Sequence, residues 1–166
     1  MTEKEEKILL DTTYILPLLG LQVPQLKDYE KNFPKLLMKF HVLYNPLSFI
    51  EAKWVVLKLL KDKKPEHKRT VLKRFHLGVK TIIKSEKLSQ TMLTNHEIEN
   101  YADLLLDLVK DYFDRMIVAT AKAYSTTLLT EDTKLKEVLK RVNKFTKLKI
   151  STWNQIVSML SQERRR

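Results

Sequence analysis

The feature that most constrains this chain is its rhythm: apolar runs too short to be helices alternate with longer segments of helical periodicity. Residues 7–11 (KILLD), 41–44 (HVLY), 87–93, 126–129 and 148–150 each read as a short strand. Between them lie helical stretches. Residues 12–20 end near Gly20, and 24–40 should be interrupted by Pro34. A segment from Pro46 repeats Ile50, Trp54, Leu57 and Leu60 at helical spacing. Pro65 opens the next helix, which runs to about Ile83 with a break expected near Gly78. Thr94 or Asn95 caps a helix reaching about Lys110, and Asp111 to Phe113 connects it to the next. Asp114 heads that next helix, whose buried face includes Ile117, Ala121 and Tyr124. Residues 133–142 and 153–160 complete the set. This alternation predicts an α/β three-layer sandwich around a central, mainly parallel sheet of four or five short strands. No interior linker divides the chain, so residues 1–161 are expected to form one domain and the polar tail 162–166 to fray.

Several chemistries are closed to such a chain. It has two glycines, Gly20 and Gly78, so neither a P-loop nor a GxGxxG fingerprint can be built. It has no cysteine, which removes disulfides, thiolate metal sites and cysteine nucleophiles. No window approaches the roughly 18 apolar residues of a membrane span, and the apolar stretch after MTEKEEK is too short for a signal peptide. A cytoplasmic protein with no membrane partner is the expectation. Against 20 acidic residues stand 31 basic ones, a net charge of +11, which favours a polyanionic partner. A Lys-rich solvated surface has the same composition.

The acids are few enough to place. Ligands of open α/β sheets bind outside the carboxyl ends of the strands. Asp11 ends the first predicted strand, Asp132 lies just past the fourth, Asp114 opens the helix leading into the fourth, and Glu51 sits one turn into the helix after the second. These four acids can therefore converge on one rim. Taken singly, each is equally a helix cap or a solvated charge. Together they repel one another and raise each other's pKa, a conflict that a divalent cation removes. Mg²⁺ or Mn²⁺ suits such oxygen ligands, and can activate water and orient a phosphodiester. Glu131 beside Asp132, and Asp111 near Asp114, leave the ligand set ambiguous; Asp114 is preferred because it heads the apolar helix.

The same blocks resemble the PIN-domain family, in particular its small VapC-type toxins and their archaeal relatives. ILLDTTYIL (8–16) looks like that family's opening strand and acid, NPLSFIEAKW (45–54) like its second acidic block, and DYFDRMIVATAKAYSTTLLTEDTKL (111–135) like its third and fourth. The resemblance implies a metal-dependent ribonuclease in which Asp11, Glu51, Asp114 and Asp132 hold Mg²⁺ or Mn²⁺. It places Thr12 and Thr130 as hydroxyls that steady a carboxylate or water. It further implies RNA as substrate, a small antitoxin protein that occludes the site, and a homodimer. The basic region from 61 to 84 matches none of the family's motifs.

Lys63 and Lys64, within the run Lys61 to Arg74, are candidates for phosphate contact, as is Arg115 beside Asp114. A solvated helix face and a surface ion pair are their plainer readings. His41, His67, His76 and His96 share no metal-binding spacing. The competing function is a non-catalytic module binding nucleic acid or a protein. A phospho-acceptor receiver domain would need a second acid beside Asp11, which the sequence lacks.

Overall fold

A computed structural model of the protein describes residues 6–162, so the expected frayed tail lies, from residue 163, outside the described residues. Strands β1 (Lys7–Leu10), β2 (His41–Tyr44), β3 (Leu88–Gln90), β4 (Thr127–Leu129) and β5 (Ile150–Ser151) form one five-stranded sheet in the order β3-β2-β1-β4-β5. Every pairing is parallel, with Leu9 opposite Leu43 on one side and Leu128 on the other. The helices are α1 (Thr12–Ile15), α2 (Tyr29–Lys39), α3 (Leu47–Leu60), α4 (Pro65–Ile83), α5 (His96–Asp103), α6 (Tyr112–Ala123), α7 (Thr133–Leu139) and α8 (Trp153–Gln162). Among the described residues no helix is long and apolar enough to cross a membrane.

Strand side chains alternate between faces, and the two cores follow that alternation. Ile8, Leu10, Val42, Tyr44 and Leu129 pack with Tyr14 of α1, Leu36 of α2, Val56 of α3, Phe75 of α4 and Ile156 of α8. Leu9, Leu43 and Leu128 face the other way, against Ile117, Val118 and Ala121 of α6 and Leu135 and Leu139 of α7. Leu47, Ile98, Ala102 and Met116 join α3, α5 and α6. The result is the three-layer sandwich expected from the alternation of short strands and helices.

Several local expectations need correction. Pro34 does not interrupt α2: it lies on the exposed side while neighbouring Phe33 and Leu36 are buried, so packing carries the helix past one missing N–H. Gly78 does not break α4. A Cβ there would stand 2.4 Å from the Leu18 carbonyl oxygen and 2.8 Å from Leu19 Cα, so its lack of side chain lets α4 seat on the 3₁₀ turn Leu16–Leu19. The helix expected to reach Lys110 stops at Asp103 and continues as turns. β5 falls about two residues later than predicted because its register is set by pairing with Leu128 and Leu129. The stripe on α3 is inverted. Leu47, Ser48, Ala52, Val56 and Leu60 face the core, while Ile50, Trp54 and Leu57 are 52%, 60% and 48% exposed. An all-round apolar helix has no unique face by periodicity, and here the smaller residues take the tight seat against the sheet.

Candidate active site

β1 lies between β2 and β4, so successive connections leave it in opposite directions and open a crevice at the carboxyl ends of β1 and β4. Asp11 stands there as the cap of α1. Its Oδ1 accepts from the Thr12 N–H at 2.6 Å, and its Oδ2 accepts from the Thr130 hydroxyl at 2.7 Å. Thr130 Oγ1 in turn accepts from the Asp132 N–H at 3.2 Å. The end of β4 thus holds the acid at the end of β1. Burial pushes the Asp11 carboxyl up to about 6, against the two hydrogen bonds, and the Glu51 and Asp132 charges push the same way.

Glu51, one turn into α3, accepts a hydrogen bond from the Thr12 hydroxyl, which also stands 3.1 Å from Ser48 Oγ. Its carboxyl is raised by burial, and by the charges of Asp114 and Asp111. Asp114 lies in the first turn of α6, and Asp111, not Asp114, caps that helix by accepting from the Phe113 and Asp114 N–H groups. Asp111 is thereby the cap residue that the sequence suggested. Burial pushes the Asp114 carboxyl up to about 6, helped by the Asp11, Asp111 and Asp132 charges. Among the described residues no protein donor hydrogen-bonds the Asp114 carboxylate, and no ion pair neutralises Asp11, Glu51, Asp114 or Asp132. Asp132 caps α7, its Oδ1 accepting from the Lys134 and Leu135 N–H groups at 2.9 and 3.1 Å.

Glu131 is committed elsewhere. It accepts from the Tyr14 hydroxyl and, at 2.7 Å, from the Trp153 N–H that starts α8. Burial and the Glu131 carboxylate hold the Tyr14 hydroxyl firmly protonated. That pairing leaves Asp132 as the acid of the pair that shares the field of the rim.

The donor set fits a hard divalent cation. It consists of carboxylate oxygens with no balancing lysine or arginine, and one of them has no protein donor at all. Among the described residues no three acids or histidines are drawn together as a closed metal cage. Mg²⁺ does not require one, since it is commonly held by one or two carboxylates with waters and substrate phosphate oxygens.

The proposed phosphate contacts are not beside this rim. Lys63 and Lys64 are exposed in the turn after α3, roughly 15 Å along the helix from Glu51 at 1.5 Å per residue. α3 begins at the carboxyl edge and carries its far end away from it. Arg115 makes no surface ion pair; its Nη1 donates to the Val109 and Lys110 carbonyls, and its guanidinium lies 5.6 Å from the Tyr112 ring centre. It braces the turn before α6. His41 bridges β2 to Ser89 of β3 at 2.7 Å, away from the acids.

Sequence reasoning missed Asn45. Fully buried, its amide nitrogen donates to the Met92 and Leu93 carbonyls and to Thr120 Oγ1, while its Oδ1 accepts from the Leu47 N–H. It anchors the start of α3, and so the height of Glu51, to the loop after β3 and to α6. The Asn-Pro dipeptide at 45–46 was the available signal.

The fold has known counterparts. The crystal structure of VapBC2 from Rickettsia felis bound to a DNA fragment from their promoter superposes with a TM-score of 0.57 at 18% identity, covering 89% of this chain and 98% of that one. PAE2754 from Pyrobaculum aerophilum gives 0.58 at 11% identity, over 95% and 90%. FitAcB from Neisseria gonorrhoeae gives 0.54 at 18%, over 86% and 95%. No curated protein matches the sequence significantly. The sequence profile of the PIN domain matches residues 8–140, which include all four rim acids, and the chain belongs to the PIN domain family.

Proposed function

We propose that the protein is a metal-dependent endoribonuclease, acting as a single nuclease unit over residues 1–161. PIN domains are generally nucleases. The observation that carries the reading for this chain is the rim itself: Asp11, Glu51, Asp114 and Asp132 share one unneutralised field at the switch point of the sheet. Asp11, Glu51, Asp114 and Asp132 would hold Mg²⁺ or Mn²⁺ with waters completing the shell. When bound, such an ion activates water, orients the scissile phosphodiester and offsets charge on the leaving oxygen. Thr130 fixes the Asp11 carboxylate through its hydroxyl, and Thr12 fixes that of Glu51. The raised pKa of Asp11 and Asp114 makes the pair reluctant to be doubly ionised until a cation arrives.

The VapC-type resemblance, and a fold shared with VapBC2 and FitAcB, support a toxin paired with a small antitoxin in the cytoplasm. An antitoxin arginine placed among the uncompensated carboxylates would make strong charge-assisted hydrogen bonds. The absence of a closed metal cage among the described residues favours the competing reading, a binding module. One experiment separates them: cleavage of a mixed-sequence labelled RNA with Mn²⁺, with Mg²⁺ and with EDTA, beside Asp11→Asn. Cleavage that requires metal and disappears in the variant is the expected result. A folded protein that neither cleaves RNA nor binds metal by calorimetry returns the reading to the binding module.

A further inference from the structure

The α3–α4 hairpin carries the molecule's least expected surface. Ile50 and Trp54 of α3 face Val79 and Ile83 of α4 across an open groove of about 690 Å³. Trp54 is 60% exposed and Ile83 58%, so this is not a core that happens to reach the surface. Contiguous exposed apolar patches with a polar rim mark interaction sites. The rim here is of one sign: Lys53, Lys80 and Lys84 border the groove, and no carboxylate lines it.

We infer that this groove docks an acidic amphipathic helix of a protein partner, at a site separate from the carboxylate rim. The walls are helix faces with no strand edge to extend, which suits a helix laid in a groove with anchors at i, i+3, i+4 and i+7. The lysine rim selects acidic flanks on that helix. A second copy of this chain is the wrong occupant, since it would bring the same lysine rim against this one. Residues 1–5 and 163–166 are too short and polar to fill the groove from within the chain. Single-stranded RNA would use the aromatic faces for stacking. Those faces are already covered: the Lys58 ammonium lies 4.9 Å from the Trp54 ring centre, and that of Lys53 lies 4.7 Å from Phe75's.

The test needs no nuclease activity, so its failure is distinguishable from failure of the ribonuclease reading. A fluorescently labelled, amidated helical peptide with leucine anchors at that spacing and glutamates elsewhere is titrated with the full chain, by anisotropy. A scrambled peptide and one with lysines replacing the glutamates are the comparisons. The expected result is saturable, salt-sensitive binding of the acidic peptide, weakened roughly tenfold or more by Trp54→Ala or Ile83→Ala, as for truncation of an interface anchor. Both variants should keep the wild-type melting temperature, because both side chains are exposed. Lys80→Glu with Lys84→Glu should reverse the preference toward the lysine peptide. Equal binding of acidic and scrambled peptides, or undiminished binding by Trp54→Ala, overturns the proposal. So does a dimer in sedimentation that Trp54→Ala dissociates, or displacement of the peptide by a single-stranded RNA whose own affinity depends on Trp54.

Discussion

The carboxylate rim and the α3–α4 groove break opposite rules. At the rim, like charges are gathered and half-buried without counter-ions. At the groove, large apolar side chains are left in water although the same helix buries alanine and serine beneath them. Each arrangement costs stability in the isolated chain, and each conflict is relieved by something outside it: a cation at one, an apolar helix at the other. Local consistency elsewhere in the fold makes these two exceptions informative.

The sharpest way to break the comparison is at Asp11. Asp11→Asn keeps the shape and the Thr12 contact but removes the charge at the centre of the rim. RNA cleavage should fall about 10³-fold, corresponding to roughly 4 kcal/mol of lost electrostatic stabilisation. Activity within a few-fold of wild type would show that the rim is not the reacting centre. Next is Gly78, which links the regions by seating the groove helix on the turn after α1. Gly78→Ala forces a methyl against backbone and should cost about 2 kcal/mol of stability even after its gain in helix propensity. A denaturant midpoint equal to wild type would mean that the approach is softer than its 2.4 Å contact implies.

A smaller effect is expected from Thr130→Val, which removes the hydroxyl joining Asp132 to Asp11. Cleavage should drop roughly tenfold, about the worth of one hydrogen bond to a charged group, and Thr130→Ser should restore it. An inert Val variant would reassign Thr130 to packing alone.

The rim's like-charge conflict should also appear in pH dependence. Asp11 binds its proton more tightly folded than unfolded, with a pKa of about 6 against 3.8. The stability it contributes is therefore fully present below 3.8 and lost as pH rises through about 6. In metal-free protein, Asp11→Asn should melt a few degrees above wild type at pH 7.5, at about 2–4 °C per kcal/mol. The gap should close by about pH 4, where wild type also carries a neutral group. A gap independent of pH would detach it from this carboxyl. The smallest effect belongs to the groove: Trp54→Ala should change stability by less than about 0.5 kcal/mol, whereas Trp153→Ala, in the core, should cost about 3–5 kcal/mol. Comparable losses would mean that Trp54 already has a partner within the fold.

Much of this was legible in residue order. The sheet was readable because Ile8-Leu9-Leu10 and Val42-Leu43-Tyr44 are short and apolar on both faces, as buried parallel strands must be. The rim was readable because acids directly after such strands have few other places to go. The assignment between Glu131 and Asp132 was not, because adjacent acids look alike until Tyr14 and the start of α8, far away in sequence, claim one of them.

What the sequence alone determined, then, is the class of fold and the edge at which its acids gather, since both follow from local period and strand polarity. Tertiary structure decided which face of α3 is buried, that α4 passes Gly78 unbroken, and that Lys63, Lys64 and Arg115 stand apart from the acids. These outcomes depend on which surfaces meet. A helix apolar on all sides, a glycine in mid-helix and a lysine at a helix end carry no local record of their neighbours, and only packing against α1, the sheet and the turn before α6 resolves them.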